Sequence, residues 1–246
     1  MGISQKRTRM VFGFIAALAL VGCDNQTAIE PPSSGNGAIA DGELAIPVMG
    51  EQIDVLAFGD SLFAGYGLRD PGDSYPSKLE AALRVRGTNA SIVNAGVSGD
   101  TSAAGLTRLE FTLNSQENVP DLFILELGGN DLLRGLSPAE TRDNFTAMLT
   151  ILKEREIPVL LMGMRAPPNY GPEYQADFDA IYGELAEEFG ADLIPFWMED
   201  VYQDASLFQS DRIHPTAEGI DAMVESTLDA VAAAIPANEG SDVGES

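Results

Sequence analysis

From about residue 52 onward, short apolar runs alternate with longer amphipathic segments. Five runs read as buried strands: Ile53 to Phe58, Ser91 to Asn94, Leu122 to Leu127, Val159 to Gly163 and Asp192 to Pro195. Between them, apolar positions recur at helical spacing. Helices are expected from near Tyr75, with Ser74 as a cap and Pro76 in the first turn, and over about Thr101 to Gln116, where Gly105 weakens the helix by ~1 kcal/mol relative to alanine. A third, running to about Arg155, carries the fullest start signal: Ser137 as cap, Pro138 at the first helical position, and Glu140 placed to close a capping box. Two more cover about Glu173 to Phe189 and Thr216 to Ala234, the last presenting Ile220, Met223, Val224, Leu228 and Val231 on one face. This alternation predicts a three-layer α/β/α sandwich around a five-stranded parallel sheet, with ligand-binding loops at the strand carboxyl ends.

The two ends follow no such period. Residues 1–22 carry Lys6, Arg7 and Arg9 and then an apolar stretch from Met10 to Val21, too short to span a bilayer comfortably, which reads as an export signal. Leu20-Val21-Gly22-Cys23 resembles a bacterial lipoprotein signal, in which cleavage precedes the cysteine and its thiol receives lipid; an ordinary secretory signal with an incidental cysteine is the alternative. Residues 23–50 are rich in Pro, Gly and Ser and read as a tether, residues 51–235 as the folded domain, and 236–246 as a disordered acidic tail. The expected location is the bacterial periplasm, lipid-anchored through Cys23 to a membrane. Asp24 after that cysteine is a hint of inner-membrane retention only.

Composition removes several function classes. The 246-residue chain has 14 basic and 38 acidic residues, a formal charge of −24. Nucleic acid is not an expected partner, because neutralising phosphates needs clustered Lys and Arg. One cysteine and one histidine exclude an intrachain disulfide framework and leave too few ligands for a Cys/His zinc site. No metal and no cofactor are expected, and the chain is expected to act as a monomer. Any imidazole chemistry falls to His214.

The chemistry-bearing residues gather in the loops after the strands. Ser61 follows the first strand, where a cap for the next helix is the commoner use of Asp-Ser. After the second comes the glycine-rich Asn94-Ala95-Gly96-Val97-Ser98-Gly99-Asp100, after the third Gly128-Gly129-Asn130-Asp131, and near the end Asp211-Arg212-Ile213-His214. Taken singly, each suits an ordinary turn. Together they supply what acyl transfer needs: Ser61 as nucleophile, His214 as base, and Asp211 three residues earlier to hold its tautomer. The N–H groups of Ser61 and Gly96 and the amide of Asn130 would form an oxyanion hole.

Gly59-Asp60-Ser61-Leu62, the glycine of Asn94-Ala95-Gly96, Gly129-Asn130-Asp131 and Asp211-Arg212-Ile213-His214 resemble, in order, the four sequence blocks of the GDSL or SGNH hydrolases. Within that family the chain is most similar to bacterial periplasmic enzymes described as multifunctional acyl-CoA thioesterase, lysophospholipase and arylesterase, over roughly residues 52–235. The resemblance implies a flavodoxin-like sandwich, no metal, and hydrolysis of esters and thioesters of hydrophobic acyl groups through an acyl-serine, with a small-molecule or lipid ester as substrate. In the resembling enzymes the loop holding Pro168, Asn169 and Tyr170 contacts the acyl chain, an inert surface loop being the alternative; Leu62, Phe63 and Tyr66 are candidates to line the same groove, with core packing the expected fate of at least one. Asp60 and Asp131 read as supports, and Phe196 and Trp197 as packing residues. Two alternatives stand beside this reading, a carbohydrate O-deacetylase of the same family and a non-enzymatic scaffold lipoprotein.

Overall fold

The computed structural model describes Val48 and residues 50–237; the expected signal, nearly all of the tether including Cys23, and residues 238–246 of the tail lie outside the described residues. Five parallel strands, β1 (Ile53–Gly59), β2 (Ala90–Gly96), β3 (Leu122–Leu125), β4 (Val159–Met162) and β5 (Asp192–Ile194), form one sheet in the order β2-β1-β3-β4-β5. Among the described residues seven α-helices accompany them: α1 (Ser61–Ala64), α2 (Tyr75–Val85), α3 (Ser102–Asn114), α4 (Gly129–Arg134), α5 (Pro138–Glu154), α6 (Pro172–Phe189) and α7 (Ala217–Ala234).

Successive side chains of a strand point to opposite faces, and each face here has its own core. Val55 and Ala57 of β1, with Ile124 of β3 and Met162 of β4, pack beneath α2 and α7; Leu56 and Phe58, with Phe123, Leu125 and Leu161, pack beneath α3, α5 and α6. Burying one such Leu, Ile or Phe is worth ~1.5–3 kcal/mol, so the two apolar layers hold the helices on either side. The sandwich therefore has the three expected layers. The order of the sheet also fixes where a ligand can bind. β1 leads to β2 on one side and the chain then crosses to β3 on the other, which opens a crevice between the carboxyl ends of β1 and β3.

Several local expectations change. Ser137 occupies the cap position of α5, but its side chain accepts no cap hydrogen bond, so the box with Glu140 does not form. Ser74 likewise makes no cap bond and pairs its hydroxyl with Ser77 Oγ at 2.8 Å. Side-chain caps form elsewhere, at Thr101, whose hydroxyl accepts from Ala104 N at 3.3 Å, and at Thr216, which accepts from Gly219 N at 3.2 Å. Asn94 to Gly96 belong to β2 rather than to the loop after it, because their backbone pairs with Ala57 to Gly59.

Candidate active site

β1 delivers Ser61 to the sheet edge. Asp60 follows the strand and caps α1, its Oδ1 accepting Leu62 N at 3.0 Å, which leaves Ser61 as the first helical residue. The first amides of a helix have no acceptor within it, and Ser61 N has none elsewhere among the described hydrogen bonds. Its side chain is nearly buried, with 9% of the residue exposed.

The segment before α7 supplies the other two groups. Gln209 N donates to His214 O at 2.7 Å and Arg212 N to Gln209 O at 3.0 Å, a closed turn in which Arg212 takes a left-handed backbone with φ of 61°. That turn folds Asp211 back onto His214: Asp211 Oδ1 accepts the amides of Ile213 (3.0 Å) and His214 (3.1 Å), and Oδ2 lies 2.7 Å from His214 Nδ1. His214 Nε2 lies 2.9 Å from Ser61 Oγ. A carboxylate can only accept, so Nδ1 carries the imidazole proton and Nε2 is the free base facing the serine. Partial burial pushes the Asp211 carboxyl up, but the bonds from the imidazole and the two amides outweigh it and hold it at about 2. The Tyr66 ring covers the imidazole at 4.5 Å, and Gln209 Nε2 ties the two segments together through Tyr66 O (2.8 Å) and Pro215 O (2.9 Å).

The expected oxyanion donors separate. Asn130, the second residue of α4, directs one amide hydrogen to Asp60 Oδ2 at 2.9 Å and keeps the other, and its side chain borders the same cavity as Ser61. Gly96 does not fit the expected role. Its N–H is spent on Asn94 Oδ1 at 2.9 Å, and its missing side chain serves packing: a Cβ there would stand 2.4 Å from Ala64 N and 2.9 Å from Asp60 O. Glycine is needed at 96 because α1 rests against β2. In the following turn, Val97 N donates to Gly59 O and Asp100 N to Val97 O, whereas the amides of Ser98 and Gly99 have no acceptor among the described residues. Gly99 is left-handed, with φ of 88°, and Arg134 holds its carbonyl at 2.7 Å. The pattern Ser-Gly-Asp in that turn was the available sequence signal.

Beneath the site lie two buried carboxyls. Asp60 N donates to Glu126 Oε2 at 3.1 Å, and Glu126 Oε1 has no hydrogen-bond partner among the described residues. Burial and the neighbouring Asp60 charge push Glu126 well above the usual carboxylate range. Burial also raises Asp60, opposed by the bonds from Leu62 N and Asn130. Asp131 is structural, as expected: it accepts Ser102 N (2.8 Å), Ser102 Oγ (2.5 Å) and Thr141 Oγ1 (3.1 Å), fastening α4 to α3 and α5.

Ser61 opens onto a cavity of about 300 Å³ whose wall includes Leu62, Leu132, Leu133, Met164, Phe196 and Met198. Leu62 and Tyr170 lie on it as expected. Pro168 and Asn169 do not; both are exposed, and Pro167 and Arg165 take that side of the lining. Phe196, expected to be a packing residue, lines the cavity, while Trp197 is buried edge-on against Phe63 (5.6 Å) and Tyr75 (5.1 Å). Period alone could not separate these two adjacent aromatics. Among the described residues no cluster of three or more His, Cys, Asp or Glu could hold a metal ion.

A serine hydrogen-bonded to an imidazole beside an apolar cavity, at the switch point of a parallel sheet, is the arrangement of a serine ester hydrolase. The comparisons with known proteins agree. Residues 57–222 match the GDSL-like Lipase/Acylhydrolase family. The chain is 39% identical over 180 residues to Esterase TesA of Pseudomonas aeruginosa, covering 72% of this chain and 88% of that protein. It is 41% identical over 164 residues to Thioesterase 1/protease 1/lysophospholipase L1 of Escherichia coli K12, covering 67% of this chain and 76% of that protein. Among solved structures, AlinE4, an SGNH-hydrolase family esterase, matches with 61% identity and a TM-score of 0.65 over 77% of this chain and 100% of that one. The chain belongs to the GDSL-like lipase/acylhydrolase family.

Proposed function

We propose that the chain cleaves esters and thioesters of hydrophobic acyl groups, with Ser61, His214 and Asp211 as the working triad. The observation that carries this is the hydrogen-bonded chain from Asp211 through His214 to Ser61, ending at the lip of an apolar cavity. Ser61 Oγ attacks the acyl carbon as its proton passes to His214 Nε2, and the carbonyl oxygen becomes an oxyanion. Collapse expels the alcohol or thiol, which takes the proton from Nε2 and leaves an acyl-serine. Water then attacks the acyl carbon, giving its proton to Nε2, and Ser61 departs with that proton as the carboxylic acid is released. Ser61 N and Asn130 Nδ2 serve the oxyanion. The third donor is the amide of Gly99, which is uncommitted, in place of that of Gly96, which is not.

An acyl pocket walled by leucine, methionine and phenylalanine favours chains longer than acetyl, which argues against a carbohydrate O-deacetylase. An intact triad argues against a scaffold role. Export and lipid attachment at Cys23 rest on the amino-terminal sequence pattern, and the active site would then work outside the inner membrane. A fluorophosphonate probe and a panel of p-nitrophenyl esters from acetate upward test the reading. Labelling lost in Ser61→Ala with a preference beyond acetate is expected; equal labelling of that variant would refute it.

A further inference from the structure

Arg108 of α3 reaches three groups at once beside the turn that follows β2. Its Nε donates to Asp100 Oδ2 at 2.5 Å, its Nη2 donates to the carbonyl of Gly59 at 2.9 Å, and its guanidinium lies 3.7 Å from the centre of the Phe58 ring. Gly105, one turn earlier, lets the helix come this close: a Cβ there would fall 2.4 Å from Leu127 Cδ1 and 3.3 Å from Phe58 Cε1. The Arg108 and Asp100 side chains are 20% and 12% exposed, the least exposed arginine ion pair among the described residues. A fully exposed pair fixes little, whereas a sheltered guanidinium with two directed N–H bonds fixes the geometry of both its acceptors.

The two acceptors belong to different halves of the site. Gly59 is the last residue of β1, directly before Asp60 and Ser61, and its carbonyl also accepts Val97 N at 3.0 Å. Asp100 closes the turn that Val97 opens, its N–H donating to Val97 O at 3.1 Å, and Gly99 with its uncommitted amide lies between them. Arg108 thus ties the strand end that sets Ser61 to the turn that sets the Gly99 amide. Arg134, which holds the Gly99 carbonyl, is exposed and gives the turn a single hydrogen bond. We infer that Arg108 is a positioning residue of the oxyanion hole, fixing the separation of the Ser61 and Gly99 amides. The inference rests on the esterase reading above and adds a residue to that same site. Donors serve an oxyanion only at ~2.7–3.1 Å, so a loosened turn weakens the transition state more than the bound ester.

The test measures hydrolysis of p-nitrophenyl butyrate and inhibition by an alkyl trifluoromethyl ketone, whose adduct with Ser61 carries an oxyanion. The purified full chain is used, with rates expressed per site titrated to completion by a fluorophosphonate, so that any unfolded fraction drops out. In Arg108→Gln, kcat should fall ~10–100-fold with KM within about threefold, and the ketone should bind more weakly by the same factor as kcat/KM falls. Arg108→Lys keeps a charge beside Asp100 but cannot fork to the Gly59 carbonyl, and should lose less, about 3–10-fold. Asp100→Asn changes the charge and hardly the shape, and carries the test if Arg108→Gln does not fold: kcat and ketone affinity should again fall together, at least ~3-fold. A kcat within about twofold of the wild type in both Arg108→Gln and Asp100→Asn overturns the inference. So does a fall in kcat with unchanged ketone affinity, which would leave the hole intact. A wild type inactive on p-nitrophenyl butyrate would instead overturn the esterase reading.

Discussion

His214 Nε2 lies 2.9 Å from Ser61 Oγ although 153 residues separate the two along the chain. The sheet makes that contact: Ser61 rides on the end of a central strand, and His214 is carried back over it by the turn before α7. No other imidazole exists in the sequence to stand in. His214→Ala should lower kcat by about 10²–10⁴ at every accessible pH, with the fold intact by circular dichroism. Turnover near the wild-type rate would rule out the triad.

Asp211 is held at about 2 and stays a carboxylate throughout the working range of pH. Its depressed folded value stabilises the site above the ordinary carboxylate range, and this contribution is lost as pH falls toward about 2. No limb of the kcat/KM profile near neutral pH should therefore belong to Asp211. Asp211→Asn keeps the shape but no longer enforces the tautomer, and kcat should fall by about 10³–10⁴. Because the Asp211 side chain is 38% exposed, the accompanying stability loss should stay within about 1 kcal/mol in a urea melt. A kcat for Asp211→Asn within about tenfold of the wild type would contradict this assignment.

Gly96→Ala separates a donor from a packing residue. Alanine keeps the backbone N–H, so an oxyanion donor at 96 would survive the change. The added Cβ would fall 2.4 Å from Ala64 N and 2.8 Å from Phe63 C, both backbone atoms of the helix that carries Ser61. We expect destabilisation of about 1–3 kcal/mol together with a loss of activity. Gly99→Ala, at a left-handed turn position, should reduce kcat more than it reduces stability. A neutral Gly96→Ala would show that α1 does not rest on β2 in the way the geometry requires.

Much of this was legible in the chain. The run Ile53 to Phe58 reads as a buried strand because it is apolar on both faces, and both faces are covered. A single histidine with an aspartate three residues earlier narrows the base to one position. What escaped was whatever depends on close approach in space. Asn94 consumes the Gly96 amide through an Asx-type bond to the residue two on, a use the expected donor role of Gly96 overlooked. Helices α1 and α4, of 4 and 6 residues, are too short to show a period and exist because Asp60 caps one and left-handed glycines flank the other. Phe196 and Trp197 are adjacent and equally apolar, and only the turn after β5 decides which faces the cavity and which the core.

The buried pair of Asp60 and Glu126 gives a stability prediction with a definite sign. Glu126 is fully buried, its Oε1 lacks a hydrogen-bond partner among the described residues, and its carboxyl is pushed well above its ordinary value of 4.5. The folded chain thus holds this proton more tightly than the unfolded chain does. The burial is tolerated while the proton stays on, and stability falls as pH rises from about 4.5 toward the raised folded value, the full deficit standing above it. One such proton contributes a slope of up to about 1.4 kcal/mol per pH unit. In Glu126→Gln the amide oxygen can still accept Asp60 N, but nothing at 126 ionises. Urea melts from about pH 4.5 upward should show the variant gaining on the wild type as pH rises. Parallel stability curves for the two proteins would show that Glu126 does not hold its proton in the folded state.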